Sequence, residues 1–203
     1  MIELLLIRHG KTEGNLKKRY IGRTDEPLCG QGIEELQLLK KTNEEVDLVF
    51  SSPMRRCLES AKILYPEKKI HIYENLKECD FGTFENKSYE DLKENEQYQN
   101  WLNSNGELSF PDGESKYHFI QRCIQGFEGI IDFVLENLFH MPLKRAALII
   151  HGGTIMSIMD HYSEPHKDYY CWQVGNGCGY LIGIDEELWI KRNRSVQMLK
   201  KFD

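Results

Sequence analysis

Four short apolar runs, at residues 3–7, 47–51, 70–73 and 146–150, narrow the folds open to this chain more than any other feature. They lack the polar and apolar alternation of a half-exposed strand. Continuous runs of this length suit strands of a parallel sheet that is covered on both faces. Helical patterns lie between them: one after Gly32 (Ile33, Leu36, Leu39) and one after Pro53 (Met54, Cys57, Leu58, Ala61, Leu64). A longer one after FPDGES spaces Phe119, Cys123, Phe127, Ile130, Val134, Leu135 and Leu138 mostly three or four apart, a stripe that reads as core. Strand and helix in alternation predict an α/β fold, a three-layer α/β/α sandwich with a mostly parallel central sheet and right-handed crossovers. Near the C-terminus GYLIGID and LWIKRN, joined by Glu186 and Glu187, predict a terminal hairpin. The polar stretch 86–113, rich in Glu, Asn, Tyr and Lys, reads as a helical excursion or lid on a single domain, 1–203, rather than a second core.

Composition removes several function classes. A chain of 203 residues can bury a core without disulfides or metals, and 40% hydrophobic with 29% charged residues is ordinary for a globular protein. No apolar run approaches the ~18 residues of a membrane span, and MIELLLIRHG has neither a basic leader nor a small-residue cleavage site, so a cytoplasmic protein is expected. Six scattered cysteines (29, 57, 79, 123, 171 and 178) without a C-x-x-C read as reduced thiols, and no metal or cofactor is expected. The net charge of −6 argues against a broad nucleic-acid surface. A small anionic molecule in a local basic pocket is the expected partner.

The stretch LLLIRHGKTEGN contains Gly10-Lys11-Thr12, the tail of a phosphate-binding P-loop. The full motif needs a glycine at position 5, which is Leu5, so that reading fails. What remains is a buried strand ending in Arg8-His9-Gly10, and the chain repeats the arrangement in ALIIHGG, which ends in His151-Gly152-Gly153. Two parallel strands thus deliver histidines to the sheet edge where α/β proteins bind ligands, and the following glycines are expected to let backbone N–H groups approach an anion. Arg8 strengthens the pair, since a guanidinium clamps phosphate oxygens and keeps a neighbouring imidazole neutral and nucleophilic. SSPMRRCLES brings Ser51, Ser52, Arg55 and Arg56 to the same edge, and NLKECDFGTFEN adds Glu78, with Asp80 and Glu85 as competitors for an acid role.

The order RHGKTEGN, SSPMRRCLESA, LKECDFGTFE, FPDGES, LIIHGGT resembles the histidine phosphatase superfamily, with its phosphoglycerate mutase-like fold, over nearly the whole chain. The resemblance implies a phosphoric monoester hydrolase with His9 as the phosphorylated nucleophile, Glu78 as general acid, and Arg8, Arg56 and His151 completing the phosphate pocket. Gly10, Thr12, Asn15, Gly22 and Gly152 match substrate-binding positions. Arg55 and Lys11 fall at variable positions. Cys57 stands where the family usually has Ala, Cys29 where it has Ser or Thr before the second helix, and Asn86 where it has Gly. Within the superfamily the RYIGRTDEPL loop, Trp101 before FPDGES and WQVGNGCGYLIGID resemble the α-ribazole-5′-phosphate phosphatases of cobalamin synthesis. Tyr89, Tyr98, Trp101 and Phe110, with Tyr20 and Arg23 as alternatives, are candidates to face a flat base. A phosphoglycerate mutase-like transferase, which in this family carries a longer insertion after the acid, is the alternative, as is a broad-specificity sugar or nucleotide phosphatase. A catalytically idle phospho-ligand module is a third reading. The resemblance leaves the oligomeric state open.

Overall fold

The computed structural model describes residues 1–40, 45–138 and 144–202. In chain order it has β1 (Ile2–Arg8), α1 (Glu13–Leu16), α2 (Gly30–Lys40), β2 (Leu48–Ser51), α3 (Arg55–Leu64), β3 (Ile70–Ile72), α4 (Tyr89–Leu92), α5 (Glu96–Asn103) and α6 (Lys116–Leu138). There follow β4 (Arg145–Ile150), α7 (Gly152–Tyr162), β5 (Ser163–Glu164), β6 (Gly179–Ile184), α8 (Glu186–Ile190) and β7 (Val196–Phe202). Among the described residues the strands form one sheet in the order β3-β2-β4-β1-β6-β7-β5. The four runs expected to pair in parallel do so, and β6 runs antiparallel to both β1 and β7.

Both faces of the sheet are covered, which is why the runs need no polar alternation. Leu4, Leu6, Phe50, Ala146, Leu148 and Ile150 face α6 and α7 in one cluster, with Ile124, Phe127, Ile130, Ile131, Ile155 and Ile158 opposite them. Leu5, Ile7, Val49, Ala147 and Ile149 point the other way, against Leu36 of α2 and Cys57, Ala61 and Leu64 of α3. Each fully buried Leu, Ile or Phe contributes on the order of 1.5–3 kcal/mol relative to exposure, so the two clusters account for the three layers. The α6 stripe is buried at Phe119, Cys123, Phe127, Ile130 and Val134, while the side chain of Leu138 lies outside the described residues. No described helix is long and apolar enough to cross a membrane.

One expectation is corrected. The chain does not turn back at Glu186 and Glu187: Asp185 caps α8 by accepting the Leu188 N–H, and Trp189 is buried against Phe127 and Tyr162. The strand that returns along β6 is the later β7. Of LWI only Trp189 enters the core, while Leu188 and Ile190 stay exposed, a distinction that a run of so few residues does not carry. The 86–113 stretch holds α4 and α5 and has apolar packing of its own, in which Phe84, Leu92, Tyr98 and Phe110 meet Phe119 and Cys123. Helix α2 begins one residue past Cys29, whose carbonyl accepts the Ile33 N–H. All six cysteines are free thiols.

Candidate active site

Strand register assembles the site. Arg8 lies opposite Ile150 and Ser51 opposite Ile149, so the residues just beyond, His9, His151 and Ser52, emerge side by side at the C-terminal edge. The His9 N–H continues the ladder to the Ile150 carbonyl at 2.9 Å. Its ring Nδ1 lies 2.7 Å from the Gly10 carbonyl. A carbonyl only accepts, so Nδ1 carries the hydrogen and the lone pair sits on Nε2. Burial, then the Arg56 and Arg8 charges, hold His9 well below the ordinary histidine value and keep it neutral.

Both guanidinia are anchored. Arg8 Nη1 donates to the Val174 carbonyl at 2.8 Å, and Arg56, fully buried in the first turn of α3, donates to the carbonyls of Thr24, Ile21 and Gly22. The Nε–H of each is buried without a hydrogen bond to any described residue, leaving a donor for an anion's oxygen.

His151, also fully buried, stands edge-on to His9 with ring centroids 5.2 Å apart. Ser52 Oγ holds its Nε2 at 2.8 Å, and Cys57 Sγ is 3.5 Å from the same atom. Burial, Arg56 and then His9 keep it well below the usual value, whereas burial pushes the Cys57 thiol up to about 12, so it stays protonated. The Glu78 carboxylate accepts the Cys79 N–H at 3.0 Å and lies 3.5 Å from the Gly153 nitrogen. A Cβ on Gly153 would come within 2.5 Å of Oε1, so glycine there makes room for the acid. Burial raises the Glu78 pKa against the opposing pull of its backbone hydrogen bonds and of Arg56 and Arg8, which favours a carboxyl that still holds its proton.

The competitors are spent elsewhere. Glu85 accepts the Gly22, Arg23 and Phe81 N–H groups and the Thr24 hydroxyl, and Asp80 accepts the Gly82 N–H and pairs with Arg23. Arg55 points outward to Glu59. Three sequence expectations are corrected. The Gly10 N–H is not free for an anion, because it donates to Ser60 Oγ at 3.0 Å. Thr12 is fully buried and caps α1 through its hydroxyl, which accepts the Asn15 N–H. Gly22 lies outside the cavity that His9 lines: a Cβ there would sit 1.8 Å from the Cys79 carbonyl, so its role is close packing against the acid loop. Gly22→Ala is therefore expected to destabilise by about 1–3 kcal/mol and to lower Tm by roughly 2–4 °C per kcal/mol, measurable by thermal unfolding.

A cavity of about 540 Å³ opens on His9, Arg8, Asn15, Glu78 and Gly152. Its outer wall is aromatic (Tyr20, Phe81, Trp101, Phe110, Tyr169 and Tyr170) with Lys18, Arg19 and Lys116 among the rings. Of the expected aromatics, Tyr20, Trp101 and Phe110 line it; Tyr98 is buried and stacks behind Trp101 at 5.9 Å; Tyr89 is exposed outside the lining, and Arg23 turns to Asp80. Sequence reasoning missed Ser60, the cavity residues of 169–173, and Asn176. The last donates to the His9 carbonyl and to Asn15 Oδ1, and its place in GNG was the available signal.

The chain is 26% identical over 193 residues to the adenosylcobalamin/α-ribazole phosphatase of Escherichia coli K12, covering 92% of each. It is 30% identical over 198 residues to the 2,3-bisphosphoglycerate-dependent phosphoglycerate mutase of Parvibaculum lavamentivorans, covering 91% of each. The fold is shared with the crystal structure of a phosphoserine phosphatase from Entamoeba histolytica in complex with 3-phosphoglyceric acid (TM-score 0.74, 24% identity, covering 100% of this chain and 98% of that one). With the family model matched over residues 4–195, this chain belongs to the histidine phosphatase superfamily, branch 1.

Proposed function

We propose that this protein hydrolyses a small phosphomonoester through a phosphohistidine at His9, with α-ribazole 5′-phosphate as the first substrate to test. One observation carries the reading: Nδ1 of a buried, neutral His9 is pinned to a carbonyl, leaving the Nε2 lone pair at a cavity that Glu78 also lines. In the first step Nε2 attacks phosphorus in line, the N–P bond forms, the ester P–O bond breaks, and the Glu78 proton passes to the leaving oxygen. In the second, water attacks phosphorus as Glu78 takes its proton, the N–P bond breaks, and inorganic phosphate leaves with His9 and protonated Glu78 restored. Arg8 and Arg56 offset the charge of the phosphoryl group, and neutral His151 contributes a hydrogen bond rather than a charge. No step draws on a metal.

The aromatic wall favours a flat organic group next to the phosphate, and the α-ribazole phosphatase name of one relative points the same way. Lys18, Arg19 and Lys116 in that wall suit a second acidic group, so phosphoserine and 3-phosphoglycerate belong in the same panel. Phosphate release across α-ribazole phosphate, these two, sugar phosphates and nucleotides, with EDTA present, tests the reading, together with trapping of an acid-labile, base-stable phosphoenzyme. No release from any of them, or no phosphoenzyme, would overturn it. The mutase name of another relative sets the second reading, and transfer of phosphoryl between the carbons of phosphoglycerate without release of phosphate would favour it.

Trp101→Ala is expected to lower kcat/KM for α-ribazole phosphate roughly tenfold through lost stacking and to leave 3-phosphoglycerate hydrolysis within about threefold by the same principle. Equal kcat/KM for wild type and variant on α-ribazole phosphate would end the stacking role.

A further inference from the structure

FPDGES has no part in the chemistry above, and its packing suggests one. The turn formed by Pro111, Asp112 and Gly113 lies against the loop that carries Glu78. Thr83 donates to the Pro111 carbonyl and Glu114 to the Asp80 carbonyl, each at 2.9 Å. The contact is so close that a Cβ on Gly82, whose φ is +53°, would be 2.0 Å from the Pro111 oxygen, and one on Gly113 would be 2.5 Å from the Asp80 oxygen. A single side chain from α6 ties the two together. Arg122 donates to the carbonyls of Asn75 (3.1 Å), Lys77 (2.6 Å) and Glu78 (2.9 Å), and it pairs with both carboxylate oxygens of Glu114 at 2.7 Å. Glu114 Oε2 also faces the Asp80 N–H at 3.4 Å.

Among the described residues, the Glu78 carboxylate itself is held by the amides of Cys79 and Gly153 alone. Its position therefore follows the backbone of residues 75–80, which runs from a 3-10 turn at Glu74–Leu76 toward a second at Gly82–Phe84 and belongs to no described strand. A planar guanidinium with five donors can gather several carbonyls at once, as a lysine ammonium at the same place could not. We propose that Arg122 and Glu114, through FPDGES, are positioning residues that set where Glu78 meets the leaving-group oxygen. The proposal rests on the reading of Glu78 as proton donor.

A displaced acid hurts esters with poor leaving groups and spares those that depart unprotonated. The test compares glycerol 2-phosphate with p-nitrophenyl phosphate, following phosphoenzyme formation in a single turnover so that the second step does not interfere. Arg122→Met is expected to slow the alkyl ester on the order of 10²-fold, at least about ten times more than the aryl ester, with KM little changed and Arg122→Lys recovering only part. On a Glu78→Gln background the same substitution is expected to add less than about twofold, since the two act as one unit. Equal losses on both esters, or full additivity with Glu78→Gln, would show a merely structural role and overturn the proposal. If Arg122→Met does not fold, Glu114→Gln, which keeps the shape and drops the charge, carries the same comparison. Should Glu78→Gln alone show no preference for the good leaving group, the acid reading falls first, so the two failures are distinguishable.

Discussion

Alanine at position 9 is expected to lower kcat by at least roughly 10⁴-fold and to eliminate the trapped phosphoenzyme, because the nucleophile and the covalent intermediate disappear together. Single-turnover mixing with ³²P-labelled substrate, followed by acid and alkali treatment of the protein, measures both. Phosphatase activity that survives in His9→Ala would sink the two-step scheme. A second readout separates loss of chemistry from loss of fold. The His9 pKa is held below the ordinary 6.5 in the native state, mainly by burial, so below that pH the unfolded chain binds a proton that the native one refuses. The His9 contribution to native stability is then lost as pH drops below about 6.5, so the change in stability between the two pH values differs between wild type and His9→Ala, the wild type losing more or gaining less on acidification. Chemical denaturation at pH 7.5 and 5.5 measures the difference.

Glu78→Gln is expected to cost on the order of 10²–10⁴ in kcat for an alkyl phosphate, whose alkoxide cannot leave unprotonated, and about tenfold or less in the burst of p-nitrophenol from the aryl ester. The pH dependence has its own sign. Burial raises the Glu78 pKa above the carboxylate value of 4.5, so the protonated form persists further toward neutrality and kcat/KM falls as pH rises through the raised value. Glutamine, which does not titrate, removes that descending limb. The same shift acts on stability in the direction opposite to His9: the native state binds the extra proton, so this contribution is complete below 4.5 and is lost as pH rises through the raised pKa. A Glu78→Gln enzyme with an unchanged kcat for alkyl phosphates would move the acid role to another group.

Aspects of the site that depend on runs and order were legible in the chain. Residues 3–7 and 146–150 had to be buried on both faces, and a histidine followed by glycine comes within two residues after each, so the convergence of His9 and His151 followed from parallel pairing alone. Arg56 as against Arg55 was readable only through the family's motif. The structure shows the physical difference, for Arg56 is fully buried with three carbonyl partners and Arg55 reaches outward to Glu59. Glu78, Asp80 and Glu85 are alike as letters, and what separates them is which backbone amides and cations surround each one.

Local pattern, then, determined the four parallel strands, the helical layers and the pair of histidines, because burial of apolar runs and the periods of strand and helix are properties of neighbouring residues. Tertiary structure decided the rest. It turned the Gly10 N–H to Ser60, 50 positions away, buried Thr12 as a helix cap, packed Gly22 onto the Cys79 carbonyl, and gave LWI to a helix rather than a hairpin. Apart from that cap, each of these outcomes depends on a partner distant in the chain, and a hydrogen bond or a close contact with such a partner exists only once the fold has brought the two together.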